Sequence, residues 1–598
     1  MNRIIISFLL SGLCSLVVNA QLSIDSFSLE KVPFSYRGAY TSFYHEKNSN
    51  DLYLKDVTRK FGERMISRIQ ILNDTSVVPS KFSGRPEMIL FQKDNKSVKI
   101  CYENKNTIRL KGEGYGLRLT IIKELEALQP GPCTIGTIYL IPDATKESVK
   151  QFRIYRYWNI RFMYTLLKGN QKVSKVDNSI IIDIYPENNS WELVLEEFES
   201  EWNPREYTKS FETCANESKA LFNDWLQKMP SLPDSYKGAG ALANYINWSS
   251  LISPGHNILT REGMLMSKRT MDKIWGWDHC FTALGLSNTD PKLAWDQIMV
   301  FFDHQDELGA IPNSLNDNYI HWGIFKPPVH GYIYRLLMES NKYFLEKGQL
   351  IKAYKILSKW TNFWMLYRDD DKNGIPQYND GGSDSGWDNG TAFDNHLGYS
   401  VESHDLCAYL VVQMDVLSEI ALKLNNTAES KLWKKKADEL LDKFIKRLWT
   451  GNQFVVKRSG SDIYETQSRS LLGYIPVILG NRLPKEIKAK LIADLRNAKG
   501  LLTQYGFATE HPDSPFYKPD GYWRGPVWAP TTLFMVEGLN DCGEKEFARD
   551  VAKRFCDMCV KNGFAENFEA TTGTSLRNPA YTWSSSIFLF FAHKYLTE

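Results

Sequence analysis

From about Ala241 to Glu598 the chain keeps a helical period, and no strand run of comparable strength interrupts it. Leu406, Leu410, Met414, Leu417, Ala421 and Leu424 recur at three- and four-residue steps, the spacing that gathers apolar side chains on one helix face. Leu432, Ala437, Leu440, Phe444 and Leu448 repeat the pattern one element later, and Lys545–Val560 and Ser584–Leu596 predict two more helices. About 350 residues of helix are too many for a simple bundle. Paired helices wound into a toroid would close such a chain and leave a pocket at one end, with the chemistry carried by the loops between helices.

Upstream the period is different. Ser97–Tyr102, Thr107–Lys111, Leu117–Ile122, Ile180–Tyr185 and Trp191–Leu195 alternate or run apolar in short pieces. Turn signals such as Asn104-Lys105-Asn106 and Gly112-Glu113-Gly114 separate them. Residues 21–205 therefore predict a β-sandwich, 206–240 a helical linker, and 241–598 the helical domain. Ahead of them, residues 1–20 have the make-up of an export signal. Arg3 is the positive end, Ile4–Val18 the apolar stretch, and Val18-Asn19-Ala20 the small-residue pattern before cleavage. The expectation is a periplasmic or secreted protein. No later segment approaches twenty uninterrupted apolar residues, so no membrane span is expected.

A net charge of +2 gives no general pull toward nucleic acid or an anionic membrane. Cysteines are scattered without metal-ligand spacing. Cys556 and Cys559 form a C-x-x-C inside a helical run, which reads as buried core. Aromatic usage is heavy, with 17 Trp and 30 Tyr. Indoles stack on the apolar faces of sugars, but large cores use them too.

The loops decide between those readings. Gly381–Gly390 holds four glycines in ten residues and reads as a loop. Within it Asp388 follows Trp387, and an apolar ring beside a carboxyl raises its pKa toward the range of a general acid. Taken alone, Asp388 also fits a surface turn that caps the next helix. Elsewhere Ile274-Trp275-Gly276-Trp277-Asp278-His279 sets two indoles beside an acid. Lys326-Pro327-Pro328-Val329-His330 lies about fifty residues on. Gly521-Tyr522-Trp523-Arg524-Gly525-Pro526-Val527-Trp528 places an arginine between indoles, and Glu566-Asn567-Phe568-Glu569 offers a second carboxylate. Tyr581-Thr582-Trp583-Ser584 closes the set. Rings that stack and charged groups that hold hydroxyls describe a sugar subsite, and two carboxylates are the minimum for glycoside hydrolysis.

Five of these motifs in matching order resemble glycoside hydrolase family 63, the processing-type α-glucosidases: Trp275–Asp278, Ser385–Asp388, Tyr522–Pro526, Glu566–Phe568 with Thr572-Gly573, and Tyr581–Ser584. Related trehalases and mannosylglycerate hydrolases share much of the pattern. The resemblance covers the helical domain. It implies an (α/α)6 barrel behind the N-terminal β-sandwich and hydrolysis with inversion, with no cofactor needed for the chemistry. By motif position Asp388 is the expected acid and Glu566 the expected base, with Glu569 as rival. Trp275, Trp277, Asp278, Trp387, Trp523, Arg524 and Trp583 are the expected pocket lining.

Asp369, Asp371 and Asn373 space oxygens as D-x-D-x-N-G, the opening half of a calcium loop, so a structural calcium ion is expected there. The plain alternative is a solvated acidic turn. The overall expectation is an exported inverting hydrolase of an α-glycosidic bond, first an α-glucosidic one, in an oligosaccharide or disaccharide. Trehalase-like or mannosylglycerate hydrolase-like activity is the near alternative. A polysaccharide lyase would need a Tyr or His base facing a uronic acid, where these loops are led by carboxylates and indoles. A non-catalytic sugar-binding protein would leave both acidic loops unmotivated.

Overall fold

The computed structural model describes residues 23–58, 65–122, 139–146, 148–156, 160–176, 179–497 and 499–597. The expected export segment lies outside the described residues. Two antiparallel sheets build the N-terminal unit. In one, Gly116–Ile122 runs between Met65–Asn73 and Ser179–Tyr185. In the other, Thr107–Glu113 runs between Lys96–Asn104 and Ser190–Glu197. The register explains the alternation seen in the sequence: Leu117, Leu119 and Ile121 pair with Ile184, Ile182 and Ile180, and all six are buried. Side chains two apart share a sheet face, so each strand gives one apolar side to the core.

Among the described residues the helices are α1 (Phe211–Leu226), α2 (Asp234–Ser250), α3 (Asp278–Leu286), α4 (Pro291–Phe302), α5 (His330–Ser340), α6 (Lys347–Tyr367), α7 (Gly381–Ser385), α8 (His404–Lys423), α9 (Thr427–Leu448), α10 (Lys485–Arg496), α11 (Ala529–Asp541), α12 (Lys545–Asn562) and α13 (Thr582–Lys594). A 3₁₀ segment, Leu471–Arg482, stands between α9 and α10. Helix α3 packs on α5, α5 on α8, α8 on the 3₁₀ segment, that segment on α11, α11 on α13, and α13 back on α3. This closed inner ring is backed by α2, α4, α6, α9, α10 and α12, giving an (α/α)6 barrel. Inner helices are buried all round: every residue of α3 and Thr582–Ala592 of α13 are out of solvent. Outer helices bury a single stripe, as α9 does with Trp433, Ala437, Leu440, Leu441, Phe444 and Leu448.

The barrel begins earlier than the period suggests. Helix α2 starts at Asp234 and packs on α13 and α12, so only α1 of the expected linker lies outside the barrel. Through Phe211, Cys214 and Ala215 it lies on Cys101 of the sandwich. A buried lysine then fastens sandwich to barrel: Lys268 Nζ donates to the carbonyls of Tyr36, Ala39 and Leu251. Burial holds that amine well below the ordinary lysine range.

The ring closes tightly where α3 meets α13. A Cβ on Gly285 would stand 2.5 Å from Ser586 Cβ. Gly285→Ala should therefore destabilise the protein by about 1–3 kcal/mol, although alanine is the better helix former. Gly348→Ala, in α6 with nothing within 4 Å, should stabilise it by up to about 1 kcal/mol. Urea denaturation of the two variants checks the contrast.

Candidate active site

The loops at the N-terminal ends of the inner helices bring three carboxylates together. Asp278 is the first residue of α3 and is 3% exposed. It is delivered by the two-residue strand Ile274–Trp275, which pairs with Ser314–Leu315, and by the Gly276 N–H bonded to the Asn313 carbonyl at 2.7 Å. The Tyr581 hydroxyl donates to its Oδ1 at 3.4 Å. Burial, seconded by the charges of Glu566 and Asp388 and opposed by Lys326, pushes the Asp278 carboxyl up to about 7.

Asp388 follows a segment that differs from its expected form. Gly381–Ser385 is a single helical turn, α7, rather than open loop. Asp380 caps it by accepting from the Ser383 N–H at 2.9 Å, and Gly386 ends it at φ 79°, a left-handed conformation glycine takes without strain. Asp384 locks the turn in place. It pairs with Arg368 at 2.8 Å and accepts from the N–H groups of Asn379 and Phe325. Local caps thus overrode the glycine content. Asp388 emerges beyond Trp387 with 45% of its side chain open to solvent, and Lys326 Nζ stands 3.5 Å from its Oδ1. Burial by the pocket walls still raises its pKa, against the pull of Lys326 and the Tyr522 hydroxyl.

Glu566 stands just ahead of the strand Asn567–Phe568, which pairs with Val527–Trp528 on one side and Ser575–Leu576 on the other. Its N–H bonds the Asn578 carbonyl at 2.8 Å, and its carbonyl accepts from Trp583 Nε1 at 2.9 Å. Burial pushes its carboxyl up to about 7, against a hydrogen bond from Asn578, the Arg577 charge and the Tyr522 hydroxyl, with Asp388 adding to the rise. Tyr522 therefore faces both carboxylates. Its backbone is held at φ 63°, unusual for a bulky residue, by the bond from Trp528 Nε1 to its carbonyl at 2.9 Å.

Glu569 is occupied elsewhere. Its carboxylate accepts from the Thr571 and Thr572 N–H groups at 3.0 and 2.6 Å and from the Tyr517 hydroxyl at 2.9 Å. Burial pushes its pKa up, but the bonds from Thr572, Thr571 and Tyr517 prevail and hold it below the ordinary value. It tightens its own turn.

The family model of the mannosylglycerate hydrolase MGH1-like glycoside hydrolase domain matches residues 271–584, a span that contains all three carboxylates. The chain belongs to this family. The relation to family 63 glycoside hydrolases, read from the five motifs, stands. A mannosylglycerate hydrolase of Thermus thermophilus is 30% identical over 118 residues, 20% of this chain and 28% of that protein. The crystal structure of a GH63 mannosylglycerate hydrolase from Thermus thermophilus in complex with glucose has a TM-score of 0.52 at 20% identity, covering 59% of this chain and 99% of the other. A bacterial glucoamylase solved with acarbose has a TM-score of 0.60 at 12% identity, covering 96% of each chain. These structures share the fold.

The indoles of this MGH1-like enzyme are arranged differently from a set of open stacking platforms. Trp277, Trp387, Trp523 and Trp583 are each no more than 3% exposed. They interlock through Trp528: Trp387 lies 4.9 Å from Trp523, Trp523 stacks on Trp528 at 4.0 Å, and Trp528 meets Trp583 at 5.5 Å. They form the wall behind the site. Trp275 is half-buried, with the Lys326 ammonium 6.0 Å from its ring centroid. The Arg524 guanidinium is spent on the Asp388 loop, donating to the Asn389 carbonyl and pairing with Asp394. Asn389 answers by accepting from the Trp523 N–H at 2.9 Å. The segment carrying Tyr522 and Arg524 thus clamps Asp388.

Lys326, Tyr522 and Tyr581 join the site without having been singled out in the sequence. Each sits inside a noted motif, but only the folded arrangement aims it at the carboxylates.

The oxygen-rich turn lies apart from these groups. Asp369 accepts from the Asn373 and Gly374 N–H groups, and Asp371 accepts from the Asn373 N–H and side-chain amide. Among the described residues the one group of three or more His, Cys, Asp or Glu with converging ligand atoms is His279, Cys280 and His330. Its tautomers do not suit a metal. His330 Nδ1 accepts from Trp360 Nε1, so the neutral ring carries its proton on Nε2.

Asp278 and Glu566 hold protons up to about pH 7, whereas in an unfolded chain they ionise near 3.9 and 4.3. Across that window the folded state binds more protons than the unfolded one, so stability falls as pH rises from about 4 to about 7. Asp278→Asn cannot ionise and should flatten the fall. Thermal melts across that window on both proteins test this.

Proposed function

We propose that this protein hydrolyses an α-glycosidic bond with inversion, using Asp388 as general acid and Glu566 as general base. The observation that carries the reading is the pairing of two pocket carboxyls with raised pKa values around one hydroxyl, Tyr522, while Glu569 is tied into its turn. In such a reaction the acid protonates the leaving oxygen while the base takes a proton from the water that attacks the opposite face. The base must be ionised and the acid protonated. Burial raises both carboxyls, so the limbs of the pH–activity profile should lie above the ordinary carboxylate range. Lys326 and Asp278 are proposed to hold hydroxyls of the cleaved sugar by charge-assisted hydrogen bonds. Trp275, Trp277, Trp387, Trp523 and Trp583 wall the pocket, and Arg524 keeps the acid loop in place.

The substrate class proposed first is a small α-glycoside whose leaving group carries a carboxylate, of the mannosylglycerate type. Glu566 opens onto a cavity of about 510 Å³ whose other charged lining is Lys31, Lys47, Arg269 and Arg577 against one carboxylate, Glu30. Such a lining attracts an anionic leaving group. Neutral α-glucosides, trehalose included, form the second class, favoured by the motif resemblance. The first twenty residues are proposed as an export signal, so the enzyme would work in the periplasm or outside the cell.

Glu566→Gln should lower kcat by on the order of 10²–10⁴-fold with KM little changed, because a base that acts on water matters in the transition state. Glu569→Gln should keep turnover and lose stability. Proton NMR of the first-formed product should show the β anomer. An α first product would exclude inversion, and a dead Glu569→Gln with an active Glu566→Gln would exchange the two roles.

The turn at Asp369, Asp371 and Asn373 is proposed as a structural calcium site, since its donors are the hard oxygens calcium takes. It precedes Gln377–Tyr378 and α7, so an ion would steady the approach to Asp388. A chelator should lower the melting temperature of the wild type and leave that of Asp371→Ala unmoved. Superimposed wild-type melts would leave an acidic turn.

A further inference from the structure

A second cavity lies between the N-terminal ends of α8 and the 3₁₀ segment, with a volume of about 260 Å³. It sits at the same end of the inner ring as Asp278 but has none of the three carboxylates in its wall. Its size is a little under the ~300 Å³ at which pockets begin to take drug-sized ligands, the scale of one sugar ring. Its lining is mixed. Phe454 and Tyr474 bring aromatic faces, Glu465 and Asp494 bring acceptors, and Asn452, Asn497 and Arg469 bring donors. His404 also lines the cavity, and the residue is 1% exposed.

We propose that this cavity is a binding site for one neutral monosaccharide ring, separate from the pocket at Asp388. Arg469 faces two carboxylates in the wall, Glu465 and Asp494, so the lining has no surplus of positive charge for an anion. Asp494 is already paired with Lys490, and Glu465 accepts from the Asn395 amide, so neither calls for a cationic ligand. Equatorial and axial hydroxyls need donors and acceptors on all sides and an aromatic face for the C–H groups, which this lining supplies. The site also touches the acid loop from behind. Thr391 bonds Ser468 at 2.7 Å and Glu510 at 2.6 Å, and Asn395 bonds Glu465, so the cavity wall holds the turn Thr391–His396 that follows Asp388. An occupant would brace that turn.

Gly473 provides the test. It lines the cavity, and a Cβ there would meet only the Phe454 carbonyl oxygen, at 3.6 Å. Gly473→Leu therefore fills the space without a first-atom clash. Equilibrium dialysis of the full chain against labelled glucose and mannose should give a stoichiometry one sugar per chain lower in Gly473→Leu than in the wild type. The variant's melting curve and glycoside turnover report whether it is folded. Asp494→Ala, a change at a partly open side chain, should weaken the same binding event and carries the test if Gly473→Leu does not fold. Equal stoichiometry in a folded Gly473→Leu, or wild-type sugar binding in Asp494→Ala, would overturn the proposal, as would a wild type that binds no sugar beyond the first pocket. Loss of hydrolysis in Glu566→Gln has no bearing on this outcome, so the two readings fail separately.

Discussion

Three carboxyl groups, those of Asp278, Asp388 and Glu566, stand close enough to feel one another's charge, and burial makes that charge costlier. Much of the surrounding structure answers that constraint. Lys326 brings a buried ammonium against Asp388 and bears on Asp278, and Tyr581 gives Asp278 a hydroxyl. Tyr522 is bent into a left-handed backbone conformation so that one hydroxyl serves the other two carboxyls. Protons in such a cluster belong to the group as much as to any one residue, and its titration is shared. Strain at Tyr522 and buried charge at Lys326 are tolerated because the barrel around them over-determines both positions.

That over-determination comes from the closed inner ring. Helices α3, α11 and α13 are buried on nearly every side, and each begins at a site segment: Asp278 at α3, the clamp through Trp528 at α11, and Tyr581 just ahead of α13. The interlocked indoles join these starts into one wall. A ring system packed at 4.0–5.5 Å leaves little freedom for the loops it carries. Rigid support of this kind is what a reaction depending on positioned acid, base and water requires. The sandwich extends the same site from outside the ring, since Lys31 and Lys47 reach the cavity beside Glu566 and Lys268 fixes the two units together.

The choice between Glu566 and Glu569 shows how local chemistry divides two like residues three apart. The strand at Asn567–Phe568 separates them. Glu566 meets burial and other carboxyls, which favour its neutral form, whereas Glu569 meets two N–H groups and a tyrosine hydroxyl, which favour its ionised form. Their surroundings, rather than their identities, set them apart.

Periodicity alone established the order of a strand-built unit followed by a helical one, because side-chain alternation and the three-to-four step are properties of neighbouring residues. The five ordered motifs established the family and singled out Asp278, Asp388 and Glu566. Glycine content misjudged Gly381–Ser385, where Asp380 caps a helical turn and Asp384 holds it through bonds to Arg368 and Phe325 that adjacency does not reveal. The loop motifs made the tryptophans look like open platforms, but exposure is decided by what packs over a ring, and here other indoles do. Lys326, Tyr522 and Tyr581 come from three separate segments, and their meeting depends on how the helices turn about the barrel axis. A sequence determines which residues have a given chemistry; the closed ring decides which of them face one another, since contacts between distant segments exist only once the chain has folded.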